Sequence, residues 1–305
     1  MKKVNQSYEP TVNDYTLILF TDSEARCRGL FDKLENDKPE SVKIFSNGYD
    51  KKNANDAQSL FGGKIIDVKN SGEMELVSAV SKNIESEAKI VVDISILNQL
   101  ETFLLMNLLD ENDSLSNTDI IYSTPENYTS IDDKSSSKGI GTIESVPGFV
   151  NCSPLNQNIL LIMLLGFEPA RSTAIYHNYD PDETHLILPY PPYKEEWEEK
   201  TYYENSRLIH EIGEERAHKM HSKDPSKFVQ DFMSMIENND LTLEEFNTYL
   251  SPLSTKPQTI GLYYIWRENE KNVSLIHSEP LEKNKLFTSN GIQETWEIMS
   301  SEDEI

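Results

Sequence analysis

The chain has 305 residues, 37% of them hydrophobic, and 28 Lys and Arg against 52 Asp and Glu give a formal net charge of −24. So acidic a surface repels phosphate backbones and anionic bilayers, which argues against direct nucleic-acid binding and against a membrane role. Two cysteines, Cys27 and Cys152, make neither a disulfide framework nor a metal-type spacing, so no metal site is expected. No apolar leader follows Met1, and the longest apolar run, Ile159–Phe167, is far too short to span a bilayer. A reducing, cytoplasmic location is the expectation.

At roughly 150 residues per domain, the length suggests two domains, placed here at 1–150 and 151–305. In the first, Thr16–Phe20 is a continuous apolar run ending in Thr21-Asp22-Ser23, which predicts a buried strand and then a helix cap. Leu30, Phe31 and Leu34 predict a helix over Glu24–Leu34. Strands are expected at Val42–Phe45, Ile65–Val68, Ile90–Ile94 and Asp119–Tyr122, with helices over Met74–Ile84 and Leu97–Leu109. Strand and helix alternate, and several strands are apolar on every position, as in a parallel sheet covered on both faces. The expected fold class is α/β, two Rossmann-like parallel-sheet halves related by internal duplication.

The second half restarts after a polar linker near Val150–Asn158. Ile159–Leu165 and His185–Leu188 read as strands, Lys194–Asn247 as a long helical insert within about 194–250, Leu241–Tyr249 as an amphipathic helix, and Thr255–Trp266 as another helix before a strand at Val273–Ile276. The duplication shows in ordered echoes. Ser23-Glu24-Ala25-Arg26 after the first strand matches Gly166–Arg171 (GFEPAR), given one inserted residue. Residues 120–128 (IIYSTPENY) match 275–280 (LIHSEP), and Ser137–Ile140 (SKGI) matches Ser289–Ile292 (SNGI). In both copies the Pro is expected to end a strand.

These motifs, with Asp93-Ile94-Ser95, Val146–Phe149 (VPGF) and Thr255–Gln258 (TKPQ), resemble an uncharacterised bacterial family of duplicated Rossmann-like proteins. The resemblance covers most of the chain outside the helical insert and the acidic tail. It implies the two-half fold and an association with defence or mobile-element loci, and it transfers no chemistry.

In parallel α/β sheets, ligands bind beyond the carboxyl ends of the strands, where helix N-termini favour anions. The unusual polar residues fall there. Asp22, Glu24, Asp93 and Glu168 are the candidate catalytic carboxylates, and Ser23, Arg26, Ser95, Tyr128, Arg171, Thr255, Lys256 and Gln258 are the candidate ligand-binding residues. Each also has a plain structural role open to it. Arg26 and Arg171 could pair locally with Glu24 and Glu168, and Lys256 could be a solvated lysine at a capped helix start. His210, Glu214, His218 and His221 share helical spacing, which reads best as a solvated helix face. Neither GxxxxGK[ST] nor GxGxxG nor GxSxG occurs, so no cofactor is specified.

The functional expectation is a ligand-binding or regulatory protein. It would recognise a nucleotide-like or other anionic small molecule in a cleft between the halves. The alternatives are a nucleotide- or nucleoside-processing hydrolase or glycosidase using strand-end carboxylates, and a subunit that docks a protein partner through the helical insert.

Overall fold

The computed structural model describes residues 14–31, 33–34, 39–47, 51–68, 71–84, 89–129, 137–151, 158–279, 281–283 and 288–299. The chain forms two compact units, Met1–Thr129 with Thr288–Ile305, and Ser130–Phe287. The expected break at 150 therefore falls inside the second unit, and the C-terminal residues return to the first.

In the first unit the order is β1 (Thr16–Thr21), β2 (Ser41–Ser46), α1 (Lys52–Phe61), β3 (Lys64–Asp67), α2 (Glu73–Ser81), β4 (Ile90–Asp93), α3 (Gln99–Glu111) and β5 (Thr118–Thr129). The second unit contains β6 (Ser137–Lys138), β7 (Ile143–Ser145), β8 (Ile159–Leu164), α4 (Pro169–Tyr179), β9 (Glu183–Tyr190), α5 (Glu195–Ile212), β10 (Ala217–His221), α6 (Pro225–Asn238), β11 (Asn247–Pro252), α7 (Lys256–Glu268), β12 (Val273–Ser278) and β13 (Glu282–Lys283). β14 (Thr288–Met299) then completes the first unit.

The first sheet has the order β14-β5-β4-β1-β2-β3 and the second β10-β9-β8-β11-β12-β7. Numbered by succession within each unit, both contain the parallel order 3-2-1-4-5, with a sixth strand antiparallel beside the fifth. In each unit the sixth strand is supplied out of turn. β7 precedes the second unit's first strand, and β14 follows everything else.

The central strands form because they are apolar on both faces. All six residues of β1 are buried, as are the last five of β8. Leu17, Leu19, Ile44 and Val91 pack on Leu30, Leu34, Ala54 and Ala57 in the first core. Leu161, Met163, Leu186 and Leu188 pack on Ile175, Leu208 and Ile209 in the second. Each such side chain contributes roughly 1.5–3 kcal/mol by leaving water.

Several expectations are corrected. The helix over Glu24–Leu34 shrinks to one 3-10 turn, Ala25–Arg28. A Cβ on Gly29 would stand 1.8 Å from Ser123 Oγ, so this segment is pressed against β5 and has no depth for a full helix. The helical insert at 194–250 resolves into α5 and α6 with a strand, β10, between them. Leu241–Tyr249 becomes a 3-10 turn (Leu243–Glu245) entering β11 rather than a helix. His218 and His221 therefore lie on β10, not on the helical face with His210. Pro125 does not end its strand. β5 runs through it to Thr129, and Pro125 stands opposite Ile292 of β14. β4 pairs with β5 only as far as Ile121, so among the described strands Pro125 lies beside β14 alone, and the register shift between Ile292 and Glu294 accommodates a residue with no N–H to donate. The second Pro of the echo, Pro280, lies outside the described residues.

Candidate functional site

Strand order places the sites. In each unit the crossover after the first strand leads one way along the sheet and the crossover after the fourth leads the other. The first and fourth strands are neighbours. The chain leaving their carboxyl ends diverges and opens the crevice in which α/β proteins bind ligands. In the first unit this is the β1/β4 junction, with Leu19 paired to Asp93. In the second it is the β8/β11 junction, with Leu164 paired to Pro252.

The sequence-selected residues fall at these two junctions. Asp22, Ser23, Glu24 and Arg26 leave β1, and Asp93 and Ser95 leave β4. Glu168 and Arg171 leave β8, and Thr255, Lys256 and Gln258 leave β11. They form two sets, one per unit. Tyr128 is on β5 opposite Ser289, and its side chain lies outside the described residues.

The first junction is rich in carboxylates. Arg26 is buried and donates from Nε and Nη2 to the same oxygen of Glu24, at 2.9 and 2.7 Å. Asp22 Oδ1 accepts the Glu24 N–H at 2.6 Å. Burial, then the Glu24 charge, pushes the Asp22 carboxyl up to about 6, and Glu101 in the first turn of α3 adds to the rise. Asp93 is 2% exposed and accepts from the Ser95 N–H at 2.8 Å and from the Ser95 hydroxyl. Ser95 Oγ in turn accepts the Ser123 N–H at 2.7 Å, which ties the β4 exit to β5. The Cys27 thiol lies 3.0 Å from the Glu24 carbonyl oxygen. Burial first, and the Asp22 charge second, push this thiol up to about 12, so it is not a nucleophile. This junction repels a phosphate. It suits hydroxyl groups or proton transfer.

The second junction has the opposite character. Two helices of 11 and 13 residues, α4 and α7, begin there and bring their positive ends to it. Glu168 stands at the α4 N-cap without capping it. Its carboxylate instead accepts from Arg171 Nη1 at 2.5 Å. Arg171, 9% exposed, also donates from Nη2 to the Ser278 carbonyl oxygen at the end of β12. Arg171 Nε and the buried hydroxyls of Ser172 and Ser278 find no partner among the described residues. Lys256, at the start of α7, is 7% exposed, which corrects the expectation of a solvated lysine.

Gly166 lets these loops close on one another. A Cβ there would lie 2.2 Å from the Leu253 carbonyl oxygen. Asn205 of α5 holds the Gly166 carbonyl with a 2.8 Å hydrogen bond.

Two candidates have structural work. Thr255 Oγ1 donates to the Ser222 carbonyl oxygen at 2.8 Å and accepts from the Gln258 N–H at 3.4 Å. Gln258, fully buried, donates from Nε2 to the Met220 carbonyl oxygen at 3.2 Å. Both tie α7 to the end of β10. Ser172 and Asn205 were missed in the sequence because small polar residues inside helices carry no periodic signal. Ser278 was visible only as a strand-end residue.

No family model and no curated protein matches this chain. Among solved structures, the chain is similar to CobK precorrin-6A reductase at 12% identity, over 86% of this chain and 87% of that one, with a TM-score of 0.26. It is also similar to Anabaena Alr3699/HepE in complex with UDP, at 12% identity over 85% and 91% of the two chains and a TM-score of 0.21. The same Anabaena protein in complex with UDP-glucose matches at 10% identity over 84% and 93%, with a TM-score of 0.20. The class of this protein, a doubly wound α/β protein with two Rossmann-like sheets, is defined by its own strand order.

Proposed function

We propose that this is a ligand-binding protein of the bacterial cytoplasm that recognises an anionic, nucleotide-like small molecule at the carboxyl edge of its second sheet. One observation carries the reading. At the N-terminus of α4, a buried arginine and two buried hydroxyls have hydrogen-bonding atoms without partners among the described residues. Each unmet buried group costs about 1–3 kcal/mol. An anion lying over the first turn of α4 would satisfy Arg171 Nε and the Ser172 and Ser278 hydroxyls while meeting the helix dipole. Thermal shift and calorimetric titration with UDP, ADP, NAD and inorganic phosphate test it. At least one nucleotide is expected to raise the melting temperature, and Arg171→Gln is expected to weaken that nucleotide at least tenfold. No shift with any of them overturns the reading. The resemblance to proteins of defence loci extends the proposal to a role against phage, which plaque counts on cells with and without the gene would test. Equal counts would remove it.

A second reading rests on Asp22. A carboxyl raised by burial to about 6 at a switch point, next to Glu24, is suited to general acid–base work on a nucleoside or nucleotide. Chromatography after incubation with nucleosides, ATP and NAD tests it. Unchanged substrates from pH 5 to 8, with and without divalent ions, would sink it.

A further inference from the structure

Among the described residues, β10 pairs only with β9, at the edge of the second sheet. Its hydrogen-bonding directions can be assigned. The Ser222 N–H donates to the Tyr190 carbonyl oxygen at 2.9 Å, so alternation turns Met220 and His218 toward β9. Ala217, Lys219 and His221 turn their backbone groups outward. The His221 N–H is taken by Asp231 Oδ2 at 2.8 Å, a side-chain stop at the strand's upper end. The Ala217 N–H is taken by the Glu214 carbonyl oxygen. Among the described residues, the Lys219 N–H and C=O and the Ala217 C=O remain on the open edge.

The same two residues line a groove of about 560 Å³ between β9, β10 and α5. Leu188, Pro189 and Ala217 give it apolar walls, and Glu195, Glu198, Glu199 and Glu214 give it negative charge. Lys219 is the one cation among the residues lining it. It shows what the groove accepts. Its ammonium sits 2.5 Å from Glu198 Oε1 and 5.3 Å from the centre of the Tyr190 ring. Glu195, Glu199 and Glu214 are left in excess, with Tyr202 donating its hydroxyl to Glu214 at 3.0 Å. An unpaired strand edge, an adjoining groove with apolar walls and an excess of carboxylates, and exposed Tyr190 and Tyr202 coincide at one place.

We propose that β10 and this groove bind an extended lysine- or arginine-bearing segment of a protein partner by strand addition. Backbone pairing with the Lys219 N–H and C=O and the Ala217 C=O would set the register. Alternate side chains would enter the groove, with apolar ones against Leu188 and Pro189 and cationic ones between Glu195, Glu199 and Tyr202. The occupant is a peptide rather than a free cation because the open groups on the strand edge need both donors and acceptors, which only a backbone supplies. This proposal is independent of the anion site at the β8/β11 junction.

The test is fluorescence anisotropy with the full chain and a labelled nine-residue peptide of alternating Lys and Val. Binding is expected, and the matched Glu/Val peptide is expected not to bind. Glu195→Gln with Glu199→Gln is expected to weaken the Lys/Val peptide at least tenfold. Glu268→Gln with Glu270→Gln, at the far end of α7, is expected to leave it within twofold, which separates the groove from the general acidity of the chain. A Lys/Val peptide N-methylated on alternate residues, with its charge unchanged, is expected to lose at least tenfold. Binding that survives N-methylation, or that spermine alone competes away completely, would make the site a plain cation site and overturn strand addition. No binding of the Lys/Val peptide, or equal weakening by both Gln pairs, would also overturn it.

Discussion

His185 Nδ1 lies 2.9 Å from His218 Nε2 across the β9–β10 pair, with the two rings stacked at 5.1 Å between centres. One nitrogen must donate and the other accept, so the pair holds together with at least one ring neutral. On its other side, His185 Nε2 stands 3.1 Å from Glu183 Oε1, and Glu183 is also paired with Arg216. Burial, and next the neighbouring His218, push His185 down to about 4, and burial lowers His218 as well.

The sign follows from those shifts. A histidine held below its ordinary value binds fewer protons folded than unfolded. Its contribution to stability is complete above about 6.5 and is lost as the pH falls through 4. In an NMR titration of the histidine ring protons, His185 is expected to remain neutral at pH 5.5. A normal titration near 6.5 would show that the buried pair does not form.

Asp22 runs the other way over the same interval. Its folded value of about 6 exceeds the ordinary 3.8, so its contribution is complete below 3.8 and is lost as the pH rises through 6. Ionised Asp22 is a cost at pH 8. Asp22→Asn keeps an oxygen for the Glu24 N–H and removes that cost. The variant is expected to melt a few degrees above the parent at pH 8, with the difference vanishing near pH 4. A lower melting temperature at pH 8 would mean that the charge is stabilising. In this background, the histidine pair's own loss of stability toward acid can be measured without the opposing titration.

Gly166→Ala puts a methyl carbon 2.2 Å from a backbone oxygen that cannot rotate away. The β8 exit must separate from Leu253, and the Asn205 contact to the Gly166 carbonyl must stretch. Overpacking of this kind costs about 1–3 kcal/mol. Chemical denaturation should show that loss, and if a nucleotide binds at the proposed site between these two loops, its affinity should fall with it. Unchanged stability would show that the loops yield freely.

Cys27, 1% exposed and with its thiol raised to about 12, is expected to resist iodoacetamide in the native protein. Peptide mass spectrometry should find it unlabelled at neutral pH and fully labelled in denaturant. Rapid native labelling would mean that the β1 exit opens readily.

Much of the first unit could be read along the chain. TLILF and IVVD are apolar at all but one position each and buried at every one, and only a strand covered on both faces tolerates that, so their class and parallel setting follow from composition. The same logic led to the strand ends, where Asp22, Asp93, Arg171 and Lys256 do stand. Reading failed where burial was asymmetric. AHKMH has only Met220 fully buried and is strongly polar, so β10 carries no apolar signature and was absorbed into a helical stretch. Strand pairing makes it a strand, through neighbours that lie far off in sequence.

The sequence by itself determined the α/β class and the strand ends at which polar residues gather, because local periodicity and apolar runs encode them. Tertiary structure alone decided the rest. It placed β14 back in the first sheet and gave the first junction a negative character and the second a positive one. It also spent Thr255 and Gln258 on structure while leaving Arg171 and two serines with hydrogen-bonding atoms unmet among the described residues. The physical reason is that charge balance, burial and hydrogen-bond satisfaction are sums over spatial neighbours. Those neighbours are chosen by strand order, which no stretch of this chain spells out.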